Sequence, residues 1–209
     1  MNLVFVKTNW DELTNKLPNI KSDFYNQLIK LYLSSDRYYH NLIHIESLLL
    51  LTKQYEHLLN SPKTIQFAIW YHDSIYNSSK NNNEEQSAEL AKLQLAKMDV
   101  SQNLISDCYD LIIATKTHQL SKKLNSFDAQ FMLDIDLSIL AATKENYIEY
   151  SKQIREEYKI CSEEHYNKGR KSVLQYFLNS ERIYKTDLFY NLNEKRARIN
   201  LALELQNLL

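Results

Sequence analysis

The chain carries a single glycine, Gly169, and only two prolines, Pro18 and Pro62, in 209 residues. Tight hairpins and left-handed turns draw on glycine, so a sequence this poor in it lacks the turns that β architecture needs. The expectation is an all-α fold, a single globular multi-helix bundle over residues 1–209. The same scarcity removes function classes. A dinucleotide-binding fingerprint, a Walker-type loop and a kinase glycine loop all need more than one glycine. Hydrophobic residues make up 44% of the chain and charged ones 24%, enough for one sizeable core in a globular protein.

Apolar periodicity places helices at about 21–34, 39–60, 62–77, 83–98, 101–118, 128–141, 143–166, 169–178 and 193–208, with a further one near 9–17. Ser61 ahead of Pro62 reads as a helix start, because serine can cap free amides and proline fits the first turn. The polar stretch Asn77 to Asn83 is the clearest loop.

Basic residues number 25 and acidic residues 26, with no long block of one sign, so no nucleic-acid polymer and no membrane surface is expected as a partner. The apolar patch at residues 3–6 is too short for a signal peptide, and no run of some 18 apolar residues exists, which points to a cytoplasmic protein. Cys108 and Cys161 read as reduced thiols.

Against this background His72-Asp73 stands out. The pair sits inside the apolar run Phe67-Ala68-Ile69-Trp70-Tyr71 and ahead of Ile75-Tyr76. An unpaired carboxylate in a core costs several kcal/mol unless its charge is compensated, and a bound cation would do so. Two other apolar stretches, Tyr38 to Ile45 and Phe131 to Leu137, also carry imidazoles or carboxylates, the distant contributions a metal site inside a helical bundle requires. Helical steps through His44, Leu48, Leu51 and Tyr55 put the His44 imidazole on an apolar stripe. Asp134 and Asp136 diverge on a helix, so at most one would reach a cation directly and the other would cap or orient. His40 and His44 lack the intervening glutamate of a zincin, and no histidine follows a glutamate by three residues as in a di-iron bundle. His57 and His165 lie in polar surroundings.

The order His44, His72-Asp73, Asp136 resembles the HD superfamily of metal-dependent phosphohydrolases. The segments Arg37 to His44, Trp70 to Tyr76, Asn83 to Ala88, Leu133 to Leu137, Ile154 to Tyr158 and Gly169-Arg170 resemble a bacterial branch known as predicted hydrolases of that superfamily. The resemblance covers roughly residues 35 to 205, with core motifs in 37–136 and helices in 143–208 completing the bundle. It implies an HD-type helical fold and one divalent metal ion held by His44, His72, Asp73 and Asp136. This mixed nitrogen and oxygen set suits manganese, iron, cobalt, nickel or zinc better than magnesium. The implied activity is hydrolysis of a small phosphate ester, such as a nucleotide or related metabolite, by metal-activated water.

Asp73, His118 and Glu84 are the candidates for catalytic work, with Glu85 beside Glu84 as an alternative. Arg37, Lys116, Arg155 and Arg170 are the cations expected on substrate phosphates, and His40 is expected to line the site. Two other classes compete with the enzyme: a catalytically silent nucleotide-binding module, and a structural protein braced by its metal. The C-terminal helix is apolar enough to pack on its own core or on a second subunit, as in a homodimer.

Overall fold

Ile65 to Tyr71 is apolar in every direction save for Gln66, and a helix apolar all round must be enclosed by others. In the structure, a computed structural model describing residues 1–18 and 20–208, this segment is the central helix α4 (Pro62–Tyr71). Ahead of it run α1 (Leu3–Leu13), α2 (Lys21–Tyr32) and α3 (Leu42–Gln54). After it come α5 (Asn83–Lys97), α6 (Gln102–Thr115) and α7 (Phe127–Asp136). The remaining helices are α8 (Lys144–Glu157), α9 (Glu163–Asn179) and α10 (Asp187–Asn207), with 3-10 turns at Glu56–Leu58, Lys122–Leu124 and Leu137–Ala141. The fold is all-α, and no strand occurs among the described residues. None of the described helices is long and apolar enough to cross a membrane.

The chain forms two compact units, Met1–Met132 and Leu133–Leu209. In the first, α4 packs on α3, α5 and α6. Trp10 meets Trp70 edge to face with ring centres 5.2 Å apart. The polar tips of the large aromatics are satisfied: Trp70 Nε1 donates to Asn9 Oδ1 at 3.0 Å, Tyr71 Oη to Gln94 Oε1 at 2.9 Å, and Tyr32 Oη to the Trp70 carbonyl at 3.0 Å. Each ring therefore contributes buried area without stranding a polar group.

In the second unit, α10 packs on α9 and on the 3-10 turn Leu137–Ala141. Carboxylates there cap backbone. Asp134 Oδ1 accepts from Lys185 N at 2.6 Å, and its Oδ2 from Thr186 N at 2.8 Å and Thr186 Oγ1 at 2.6 Å, just ahead of α10. Burial pushes the Asp134 carboxyl up, and these hydrogen bonds work against that rise. Glu194 accepts from Ile183 N at 3.1 Å and Tyr184 N at 3.2 Å. Of the Asp134 and Asp136 pair, Asp134 is thus the one that caps.

Several element ends differ from expectation, each for a local reason. Helix α3 starts at Leu42 and not at 39, because Asn41 Oδ1 accepts from Ile43 N at 2.8 Å as an N-cap. Helix α4 stops at Tyr71 and not near 77, leaving His72 and Asp73 in the turn that follows. The helix expected over 143–166 is two: α8 ends at Glu157, and Ser162 Oγ caps α9 by accepting from His165 N at 3.3 Å. Gly169, expected to open a helix, lies inside α9. Helix α10 begins at Asp187, a turn and a half before 193, and α1 occupies Leu3–Leu13 where 9–17 was expected.

Candidate metal centre

Two elements of the first unit place the central side chains. His44 lies in the first turn of α3 and is buried there; His72 and Asp73 follow the last residue of α4. His44 Nε2 and His72 Nε2 are 3.2 Å apart, His72 Nε2 and Asp73 Oδ2 are 3.1 Å apart, and His44 Nε2 and Asp73 Oδ2 are 3.7 Å apart. Neighbouring ligand atoms around a cation with bonds of about 2.0–2.2 Å stand roughly 3.0–3.6 Å from one another. The two contacts of His72 Nε2 fall in that range, and the 3.7 Å between His44 Nε2 and Asp73 Oδ2 lies just beyond it.

The protonation of His72 sharpens the point. Its Nδ1 lies 2.9 Å from the Ile69 carbonyl, which can only accept, so Nδ1 carries the proton. In a neutral ring Nε2 then presents a lone pair to the Asp73 carboxylate, acceptor against acceptor. Such a contact is favourable only if positive charge lies between the two atoms, supplied by a second proton on the ring or by a cation. An Nδ1–H bound to a backbone carbonyl is also the usual way a metal-binding imidazole is oriented. The Asp73 carboxyl reflects the same demand. Burial alone would raise its pKa, but positive charge on His72, His40 and His44 and the hydrogen bond to His72 hold it well below the usual carboxylate range.

The turn carrying Asp73 is braced by Arg37, which is 9% exposed. Its Nη1 donates to the carbonyls of His40 at 2.9 Å and Asp73 at 2.6 Å, and its Nη2 to the carbonyl of Ser74 at 2.8 Å. The guanidinium lies over the rings of Tyr32, at 5.0 Å, and Tyr76, at 5.6 Å. Arg37, expected on substrate phosphate, thus ties the loop before α3 to the turn after α4. His40 stacks on Tyr76 with ring centres 4.4 Å apart and stands 6.2 Å from the His44 ring, which puts it beside the cluster. The part played by Tyr76 had no signal in the sequence beyond its nearness to the His-Asp pair.

The other expected residues are carried by other elements. Glu84 and Glu85 occupy the first turn of α5. Lys116 follows α6 and donates to the Asn81 carbonyl at 2.6 Å and to the Glu85 carboxylate, a hydrogen bond that holds the Glu85 carboxyl below its ordinary pKa. His118 has a left-handed backbone, with φ at 52°, and its N–H donates to the Ala114 carbonyl at 2.9 Å, closing α6. Asp136 is the last residue of α7 and belongs to the second unit.

Two of the four expected phosphate-binding cations also belong to the second unit. Arg155 donates to the carbonyls of Tyr158, at 3.0 Å, and Cys161, at 3.5 Å, across the break between α8 and α9. Arg170 is 8% exposed and grips Glu204 with two bonds, Nε to Oε1 at 2.7 Å and Nη2 to Oε2 at 2.9 Å. Both guanidiniums hold protein groups. Cys108 and Cys161 are free thiols, as expected.

Fold and cluster together define an all-helical protein in which two imidazoles and an adjacent carboxylate converge with metal-ligand spacing. Compared with known proteins, the chain matches no family model, no curated protein and no solved structure.

Proposed function

We propose that the chain is a metal-dependent phosphohydrolase that acts on a small phosphate ester, a nucleotide or related metabolite, and that His44, His72 and Asp73 hold its divalent cation. The observation that carries this reading is the His72 ring: its Nδ1 proton is committed to Ile69, and its Nε2 faces His44 Nε2 at 3.2 Å and Asp73 Oδ2 at 3.1 Å. The order of residues in the sequence adds Asp136 as the fourth ligand, a carboxylate that with His44 and His72 makes a donor set suited to a metal ion. A cation bound by this set would polarise a phosphoryl oxygen and make water acidic enough to attack near neutral pH.

The chain's own residues do the rest. Arg37 fixes the Asp73 backbone, which keeps the carboxylate pointed at the two imidazoles without a rearrangement on loading. His40, held flat against Tyr76, lines the approach to the cluster and offers a hydrogen bond to substrate. His118 and Glu84 are proposed to handle protons. Manganese, iron, cobalt, nickel and zinc fit the set better than magnesium, which prefers oxygen ligands alone.

Metal analysis of purified wild type beside His72→Ala tests the reading. Wild type is expected to hold about one equivalent of a transition metal per chain and His72→Ala to lose most of it. Circular dichroism should show the same helix content in both. Loaded wild type is then expected to hydrolyse a member of a panel of nucleotides and phosphomonoesters, and Asp73→Asn to be inactive on it. Wild type that takes up no metal after supplementation would sink the proposal. Stoichiometric metal with no turnover across the panel would favour a silent binding module.

A further inference from the structure

The segment Asn83 to Ala88 opens α5, and two of its side chains reach back to the chain that follows the His-Asp pair. Ser87 is wholly buried. Its hydroxyl accepts from Ile75 N at 3.0 Å and donates to the Ile75 carbonyl at 3.3 Å. Asn83 does the same one helical turn earlier: its Oδ1 accepts from Asn77 N at 3.0 Å, and its Nδ2 donates to the Asn77 carbonyl at 3.1 Å. Residues four apart share a helix face, so one face of α5 takes both backbone groups of residue 75 and both of residue 77. A serine inside a helix is free to bond back to its own carbonyls; here the hydroxyl is spent on another segment.

Between the two paired residues lies Tyr76. Its ring stacks on His40, with centres 4.4 Å apart and planes at 27°, and lies 5.6 Å from the Arg37 guanidinium. Arg37 in turn holds the carbonyls of Asp73 and Ser74. Residues 73 to 77 are thus fixed from two sides, by Arg37 at 73 and 74 and by α5 at 75 and 77, and the Tyr76 ring carries that order to His40. We propose that Asn83 and Ser87 are positioning residues of the candidate site: they aim Tyr76, and Tyr76 holds the His40 imidazole beside the metal centre to contact the substrate. Only the contact with substrate rests on the hydrolase reading; the placing of His40 does not.

Proton–carbon NMR of the histidine rings tests the placing, in the full chain supplemented with zinc, a diamagnetic ion. Stacking on a tyrosine ring shifts imidazole protons upfield, and His40→Gln identifies the His40 signal by its disappearance. Tyr76→Leu is expected to return that signal toward the position of an unstacked imidazole, and Tyr76→Phe to leave it in place. Asn83→Ala and Ser87→Ala should each move it in the direction of Tyr76→Leu, Ser87→Ala further because its bonds are the more buried. Ser87→Ala strands the Ile75 N–H and should lower the melting temperature. The Asn83 bonds are exposed, so Asn83→Ala should melt near wild type and separate positioning from loss of fold. Both variants should keep the wild-type metal content and lose roughly tenfold or more in kcat/KM on the substrate that wild type hydrolyses. Adding Asn83→Ala to Tyr76→Leu should cost nothing further, because the two act through one ring. A His40 signal that stays in place in both variants overturns the proposal, and so does an unchanged kcat/KM where the signal has moved. Wild type that binds metal but turns over no substrate defeats the hydrolase reading, and the His40 signal still decides the positioning.

Discussion

Arg37 shows how far one side chain can reorganise its surroundings. A helix as apolar as α4 has no reason in its own sequence to stop at Tyr71, yet it does, and the carbonyls of Asp73 and Ser74 beyond it are taken by the Arg37 guanidinium. Replacing Arg37 with methionine keeps the stem but strands three carbonyls, two of them in the turn that holds the carboxylate. The expected cost is roughly 3 kcal/mol or more, since each buried acceptor left without a donor loses about 1 kcal/mol or above. Arg37→Lys should recover little of it, because an ammonium cannot fork across three acceptors. Urea denaturation measures both, and a loss under 1 kcal/mol for Arg37→Met would mean that water replaces the clamp. Metal content should fall in parallel.

At the level of elements, the chain's single glycine turns out not to serve a turn. Gly169 lies inside α9, and a Cβ built on it would meet nothing within 4 Å. Its backbone is helical, so it carries the entropic cost of glycine without a steric return. Gly169→Ala is expected to stabilise the protein by about 1 kcal/mol, read as a higher melting temperature with unchanged metal binding. A destabilised variant would show that the helix needs a glycine there for a reason other than space. The N-caps behave in the opposite sense. Asn41 sets the first residue of α3 and hence the position of His44 on its first turn, and Asn41→Ala should cost about 1 kcal/mol.

For the molecule as a whole, acid stability is governed in part by the buried pair of the second unit. Burial raises the Glu204 carboxyl, but the two bonds from Arg170 and the hydroxyls of Tyr147 and Ser151 outweigh it, so its folded pKa lies below the ordinary 4.5. A depressed folded pKa means that the pair contributes fully above pH 4.5 and that the contribution is lost as pH falls through the folded value. Thermal melts from pH 7 to pH 3 should therefore show Glu204→Gln far less stable than wild type at neutral pH, where Arg170 is left as a buried unpaired charge. The gap should narrow below pH 4.5 as wild-type Glu204 takes up its proton. A gap that stays constant across that range would show that the carboxylate is not what titrates.

Composition and pattern alone settled the fold class, because a chain with one glycine and strong 3.6-residue periodicity has no alternative to helices. They also singled out His44 as inward-facing, His72-Asp73 as a buried polar pair needing compensation, and a capping role for one of Asp134 and Asp136, each from the conflict between a polar side chain and its apolar neighbours. The rest was decided by contacts between residues far apart in the chain. Arg37 meets the 73–74 turn from 36 and 37 residues away and braces it, and Arg170 meets Glu204 from 34 residues away and turns an expected phosphate ligand into a brace. A guanidinium in sequence carries no mark of whether an outside phosphate, a carbonyl or a carboxylate will occupy it. Only the tertiary structure supplies the partner, because burial and reach, not residue type, determine which acceptor is nearest when water is excluded.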